Sequence, residues 1–145
     1  MQLPGFDELE PPGEGTTPEH PPFSSYQIPT RYGPVTEPAN SAIQAEWPQH
    51  LWVNAAELSK LESGWNPRAQ NDTLEKGPCG TQYYIPGIGP AMTEDSRGLY
   101  QINVCAHGGG DELYDPYYNA RKGYELYQSS GWNPWYYSAT ALGLL

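Results

Sequence analysis

Residues 48–67 read PQHLWVNAAELSKLESGWNP, and this stretch predicts a helix from Leu51 to about Ser63. Leu51, Ala55 and Leu58 recur at steps of four and three, so they share one helical face. Glu62 falls next on that face, with Leu61 beside it. Gly64 can close the helix in a left-handed conformation, and Pro67 prevents it from resuming. Glu62 is therefore a carboxylate in the last turn, in line with a buried stripe. The helix dipole puts negative charge at that end, and apolar neighbours remove water. Both disfavour ionisation. A carboxyl that keeps its proton near neutral pH suits a general acid.

The chain has 145 residues, enough for one domain of ordinary size. Sixteen prolines and sixteen glycines make it rich in loops. Twelve Tyr and five Trp stand against two Phe. Tyr and Trp join an apolar body to a polar tip, so they suit either a small core or the half-wet wall of a sugar-binding groove. The net charge is −10, and residues 1–45 and 46–145 each carry −5. No basic run occurs, which argues against nucleic acid and anionic membranes as primary partners. No stretch has the length and apolarity of a membrane span. The opening, MQLPGFDELEPP, is acidic and broken by proline, unlike a secretory signal. Export by another route, carriage on a larger particle, or release from a longer chain each remain open.

Residues 1–42 repeat proline every few positions and show no helical or alternating period. They read as an extended, Pro-rich acidic arm, with FSSYQIPTRYGPV apolar enough to dock as a ribbon. Residues 43–145 form the domain. After the first helix, 66–95 reads as mostly irregular, with a short strand at Tyr83–Ile85. Ser96–Gly110 starts as a tight turn and ends in a brief helical piece. Asp115 is an N-cap, and Pro116 suits the first helical position. Tyr117, Ala120, Tyr124 and Tyr127 then make one face, which reads as core, and Ser130–Gly131 closes the helix. A last helical turn starts near Trp135. Cys79 and Cys105 form either one disulfide, worth about 3 kcal/mol through loop closure, or two free thiols. His20, His50 and His107 lack metal-ligand spacing, so no zinc site and no cofactor is expected. His107 reads as part of a polar loop.

ESGWNP (Glu62–Pro67) followed by SRGLYQIN (Ser96–Asn103) resembles the motif pair of the soluble lytic transglycosylase and goose-type lysozyme superfamily. DPYYNARKGYELY (Asp115–Tyr127) and GWNPWYY (Gly131–Tyr137) are similar to the later helix and Trp-rich end of phage-encoded, virion- or tail-associated members. The resemblance covers roughly 46–138. It implies a mainly α, lysozyme-like fold with a substrate cleft, and as partner the glycan strands of peptidoglycan, cut at the β-1,4 bond between N-acetylmuramic acid and N-acetylglucosamine. It also implies a setting in a phage tail or at a cell wall, where the arm would contact other virion proteins. Glu62 matches the family's catalytic acid. Gln101 matches its cleft glutamine, and Gly98 and Leu99 match the turn before it. Ser96, Tyr100, Asn103, Trp135 and Tyr137 complete the candidate substrate contacts. Two departures stand out. Tyr100 replaces the family's frequent Met, Trp or Phe, and YYSATALGLL replaces an AYN(A/G)G segment, whose cleft tyrosine would fall to Tyr136 or Tyr137.

Hydrolysis of a glycosidic bond usually takes two carboxylates, about 5 Å apart for a nucleophile or about 6.5–9.5 Å for a base holding water. Asp72, Glu75, Glu94 and Asp95 are the candidate partners for Glu62, with Glu94–Asp95 best placed before the cleft loop. A lytic transglycosylase needs no second acid, because the muramic acid 6-hydroxyl closes a 1,6-anhydro ring. With no second acid in a motif, the sequence leans to that route over hydrolysis. A wall-binding or virion structural module without turnover is the reading from another class.

Overall fold

The computed structural model describes residues 22–145. The part of the expected extended arm before Pro22 lies outside the described residues. Residues 22–38 run irregularly across the body, and Ile28 and Val35 are fully buried in its core. Asn40 fixes this ribbon. Its side-chain oxygen accepts from the Ile28 amide at 2.8 Å, and its amide donates to the Tyr26 carbonyl at 2.8 Å. Arg31 pairs with Glu57 at 3.0 Å, and Glu57 also accepts from the Arg31 amide at 2.9 Å. The packed body thus reaches across the boundary that composition suggests at 42/43.

Helix α1 (Ala39–Glu46) leads through a 3-10 turn (Gln49–Leu51) into α2 (Trp52–Ser63). As expected, Gly64 caps α2 in the left-handed region, φ 65°. Three short strands follow: β1 (Gln70–Asp72), β2 (Gln82–Ile85) and β3 (Gly89–Met92). Then come β4 (Asp95–Arg97), β5 (Ile102–Asn103) and the single-turn helix α3 (Val104–His107). Helix α4 (Pro116–Ser130) starts where Asp115 accepts from the amides of Tyr117 and Tyr118. A 3-10 turn (Asn133–Trp135) leads into α5 (Tyr136–Ala141).

The strand expected at Tyr83–Ile85 is β2, and the stretch around it, expected to be irregular, holds further sheet. β1, β4 and β5 form an antiparallel sheet in that order, and β2 and β3 form a hairpin. Polar side chains and two-to-four-residue strands hid this, because alternation over so few positions is no periodic signal. The hairpin is tied back by the Cys79–Cys105 disulfide, whose Cα atoms lie 5.1 Å apart.

The core lies between α1, α2 and α4, with Leu99 and Tyr100 fully buried among them. Trp47 is its aromatic hub, with Tyr100, Tyr124, Tyr127 and Trp132 ring centroids at 5.4, 5.3, 5.7 and 5.9 Å. The expected tyrosine face of α4 is core. Most Tyr and Trp thus build the interior, while Tyr136 and Tyr137 stay exposed.

Leu99 and Tyr100 are held inside by polar bonds. The Ser59 and Ser63 hydroxyls donate to the Leu99 carbonyl at 3.0 and 2.8 Å. Asn119, fully buried, accepts from the Tyr100 amide at 2.8 Å and donates to the Arg97 and Leu113 carbonyls. Gly98 sits between them at φ 78°, where an added Cβ would collide with the Asn119 amide and the Leu113 carbonyl. Gly98→Ala is expected to destabilise the fold by about 3 kcal/mol or more, combining strained backbone with overpacking. Urea unfolding checks this; a loss below about 1 kcal/mol would contradict the close approach.

Candidate active site

One groove of about 630 Å³ brings the two motifs together. That volume lies within the range of about 300–1,000 Å³ usual for ligand clefts. The C-terminal turn of α2 supplies Leu61 and Glu62. The sheet supplies the facing wall, and its register shows how. Asn71 pairs with Ser96, and Ser96 pairs with Asn103. Directly paired residues on adjacent strands project from the same face, so these three make one polar row, and all three line the groove. Glu94, two residues before Ser96, lines it too. Ala106 and His107 of α3 and Pro134–Tyr137 complete the lining.

Glu62 is half-buried, and its Oε2 accepts a hydrogen bond from the Ser138 hydroxyl at 2.6 Å. Burial pushes its carboxyl above the usual carboxylate range. The Ser138 hydrogen bond opposes that, and the negative charge of Glu94 adds to the rise. No lysine or arginine pairs with Glu62 among the described residues. Burial likewise raises Glu94. The other candidate acids are occupied elsewhere. Asp95 is buried against Arg97 at 2.7 Å, which holds its carboxyl below the usual range. Asp72 caps the Leu74 amide at 2.7 Å, and Glu75 is exposed in a 3-10 turn.

Gln101 lines the groove with a left-handed backbone, φ 50°. Its amide donates to the Ala69 and Gly98 carbonyls at 3.2 and 3.1 Å, leaving its side-chain oxygen with no protein partner among the described residues. Asn103 is the mirror case. Its oxygen accepts from the Asp95 and Cys105 amides at 3.1 and 3.0 Å, which leaves its amide nitrogen available. Ser96 is buried at the centre of the row. Trp135 lines the groove while its indole nitrogen donates to the Tyr100 carbonyl at 2.9 Å, and Tyr137 is 85% exposed at the lip.

Tyr100 corrects the expectation. It is fully buried, and its hydroxyl donates to the Ala55 carbonyl at 3.0 Å. It supports the cleft loop from beneath and does not line the groove. Trp65 is core, 5% exposed, its indole donating to the Ala56 carbonyl. Ser63 bonds both locally, to the Ser59 carbonyl at 3.0 Å, and across to the Leu99 carbonyl at 2.8 Å. Three polar lining or contacting residues escaped the sequence reading. Asn71 needed the strand register, and His107, read as part of a polar loop, is the last residue of α3 and lines the groove. Ser138 reaches Glu62 across 76 positions, and no sequence signal pointed to it.

Among the described residues, no helix is long and apolar enough to cross a membrane. No curated protein and no solved structure matches the chain significantly. The family model described as a lysozyme-like domain matches residues 39–137, from the first helix through the groove's tyrosine lip. A groove-lining helix-terminal glutamate, a GLYQI turn clamped beneath it and a family match over more than half of the sequence agree, and the chain belongs to the lysozyme-like domain family.

Proposed function

We propose that this protein cuts the β-1,4 bond between N-acetylmuramic acid and N-acetylglucosamine in peptidoglycan, with Glu62 as the acid that protonates the leaving oxygen. The observation that carries this reading is the environment of that carboxyl: on the groove, raised by burial, and free of any cation among the described residues that would hold it ionised. Gln101 and Asn103 offer an acceptor and a donor to sugar hydroxyl and acetamido groups. Ser96 adds to the polar wall, while Trp135 and Tyr137 give sugars an aromatic surface.

Glu94 bears on the route. The lean towards a transglycosylase rested on there being no second acid in a motif. Glu94 lies on the same groove, and its charge is felt at Glu62. That favours hydrolysis, with Glu94 activating water or stabilising the developing cation. The anhydro-forming route is the alternative, in which Glu62 alone serves as acid and then base. The similarity of its C-terminal part to phage-encoded members supports a virion or tail setting, where the acidic arm would dock to neighbouring proteins.

Glu62→Gln is expected to lower turnover of purified cell walls by about 10²–10⁴-fold while keeping the fold. Near neutral pH its melting temperature should match or exceed wild type, because the buried group no longer has to ionise. Equal clearing by both proteins would remove Glu62 from the mechanism. Mass spectrometry of the products separates the routes. Hydrolysis leaves reducing ends carrying an added water, whereas 1,6-anhydro ends lack it, and in that case Glu94→Gln should retain most activity.

A general acid must be protonated, so activity should fall as pH rises through the elevated Glu62 titration. The causes of that elevation predict opposite shifts of the alkaline limb. Ser138→Ala removes a hydrogen bond that favours the carboxylate, so the limb moves to higher pH. Glu94→Gln removes a like charge, so the limb moves to lower pH. A pH–rate series on the two variants checks this, and shifts of the same sign would refute the assignment.

A further inference from the structure

A second cavity, of about 410 Å³, opens beside the groove between α4 and the loop that follows α3. The two cavities share one residue, His107, which lines both. The cavity joins an apolar surface, from Ile102, Leu113 and Leu126, to charged groups of both signs, Glu112, Lys122 and Glu125. Lys122 and Glu125 face each other at 3.1 Å, both about half exposed, and the Lys122 ammonium also lies 5.7 Å from the Tyr118 ring. Exposed pairs of this kind are weak and exchange readily for other partners. A glycan strand has neutral hydroxyls and acetamides and has little use for such a surface. A short peptide that carries small apolar side chains, a carboxylate and an amine matches it group for group.

The substrate carries such a peptide. Each muramic acid bears one on its lactyl ether, so a strand lying in the groove must send peptides out of it sideways. We propose that this cavity receives the stem peptide of the muramic acid bound in the adjoining groove, with Lys122 meeting a peptide carboxylate and Glu112 and Glu125 meeting its amine. The inference rests on the peptidoglycan reading of the groove and adds to it a preference for peptide-bearing over bare strands. His107 stands at the junction, where the peptide passes from one cavity to the other. None of the three charged residues lines the groove itself.

The test compares cleavage of peptide-bearing strands with strands whose stem peptides an amidase has removed. Wild type should show kcat/KM at least about tenfold higher on peptide-bearing strands, the effect of roughly one good charge pair. Lys122→Ala and Lys122→Glu should erase most of that ratio, the reversal more fully, and leave the rate on bare strands unchanged. Equal wild-type rates on both strands, or variants that slow both alike, would overturn the proposal. Binding to the Glu62→Gln protein reads the cavity without turnover, using soluble disaccharide fragments with and without the peptide. Tighter binding of the peptide-bearing fragment, lost in Glu62→Gln/Lys122→Ala, supports the cavity even if no strand is cut, a result that would refute the glycosidase reading alone. Equal affinities overturn the cavity whatever the cleavage assay shows.

Discussion

The carbonyl of Leu99 is the point on which the site depends. Two serine hydroxyls from the last turns of α2 converge on it, and Asn119 of α4 grips the amide of the next residue. The Ser59 and Asn119 bonds are buried, so losing either would leave a desolvated polar group at a cost of about 1–3 kcal/mol. They join the helix that ends in Glu62 to the loop that carries Gln101. Neither half of the motif pair forms a cleft alone. The serine after the glutamate binds the loop's backbone, and that bond sets the acid beside the loop's glutamine. Close approach of the loop to Asn119 is what requires glycine at position 98.

Two glutamates on α2 show how position decides chemistry. Glu57 is the more deeply buried, yet Arg31 meets it with backbone and side chain, so its charge is matched. Glu62, five residues later, has a hydroxyl on one side and another carboxylate's field on the other. A buried charge with a cation is structure; a half-buried carboxyl without one has its proton affinity raised. The irregular ribbon before α1 therefore has a part in the division, because it brings Arg31 to Glu57 and to no other acid of α2. Pairing Glu62 in the same manner would oppose the rise that burial gives its carboxyl.

What could be read from the sequence follows from how far each signal reaches. The α2 and α4 helices are legible because burial recurs over three or four turns and because Gly64 and Asp115 mark their ends. Glu62 is legible as the continuation of a stripe. The sheet is not, since β1, β4 and β5 span three, three and two residues and are mostly polar. Their stability comes from pairing with each other and from the disulfide's tether, neither of which leaves a periodic trace. Missing the sheet meant missing Asn71 and leaving Glu94, which lines the groove, undivided from Asp95, which Arg97 holds. Tyr100 was misplaced for a different reason. Its neighbours Leu99 and Gln101 point to core and to cleft, and a turn through left-handed Gln101 breaks any simple alternation between them.

The two sides of the groove are built differently. The strand wall is braced throughout, with Asn103 accepting two backbone amides, Gln101 donating to two carbonyls, and the disulfide anchoring the hairpin to α3. The opposite lip rests on α5, a helix of six residues whose tyrosines face solvent. Six residues are too few to be stable alone, so α5 is held by its packing against α2 and by Trp135, whose indole is bonded to the Tyr100 carbonyl. Ser138 belongs to this lip. The acid's proton affinity thus depends on an element that the buried clamp holds only indirectly, through Tyr100. Any change that loosens Tyr100 acts on Glu62 twice, once through the loop beneath it and once through the hydroxyl above it.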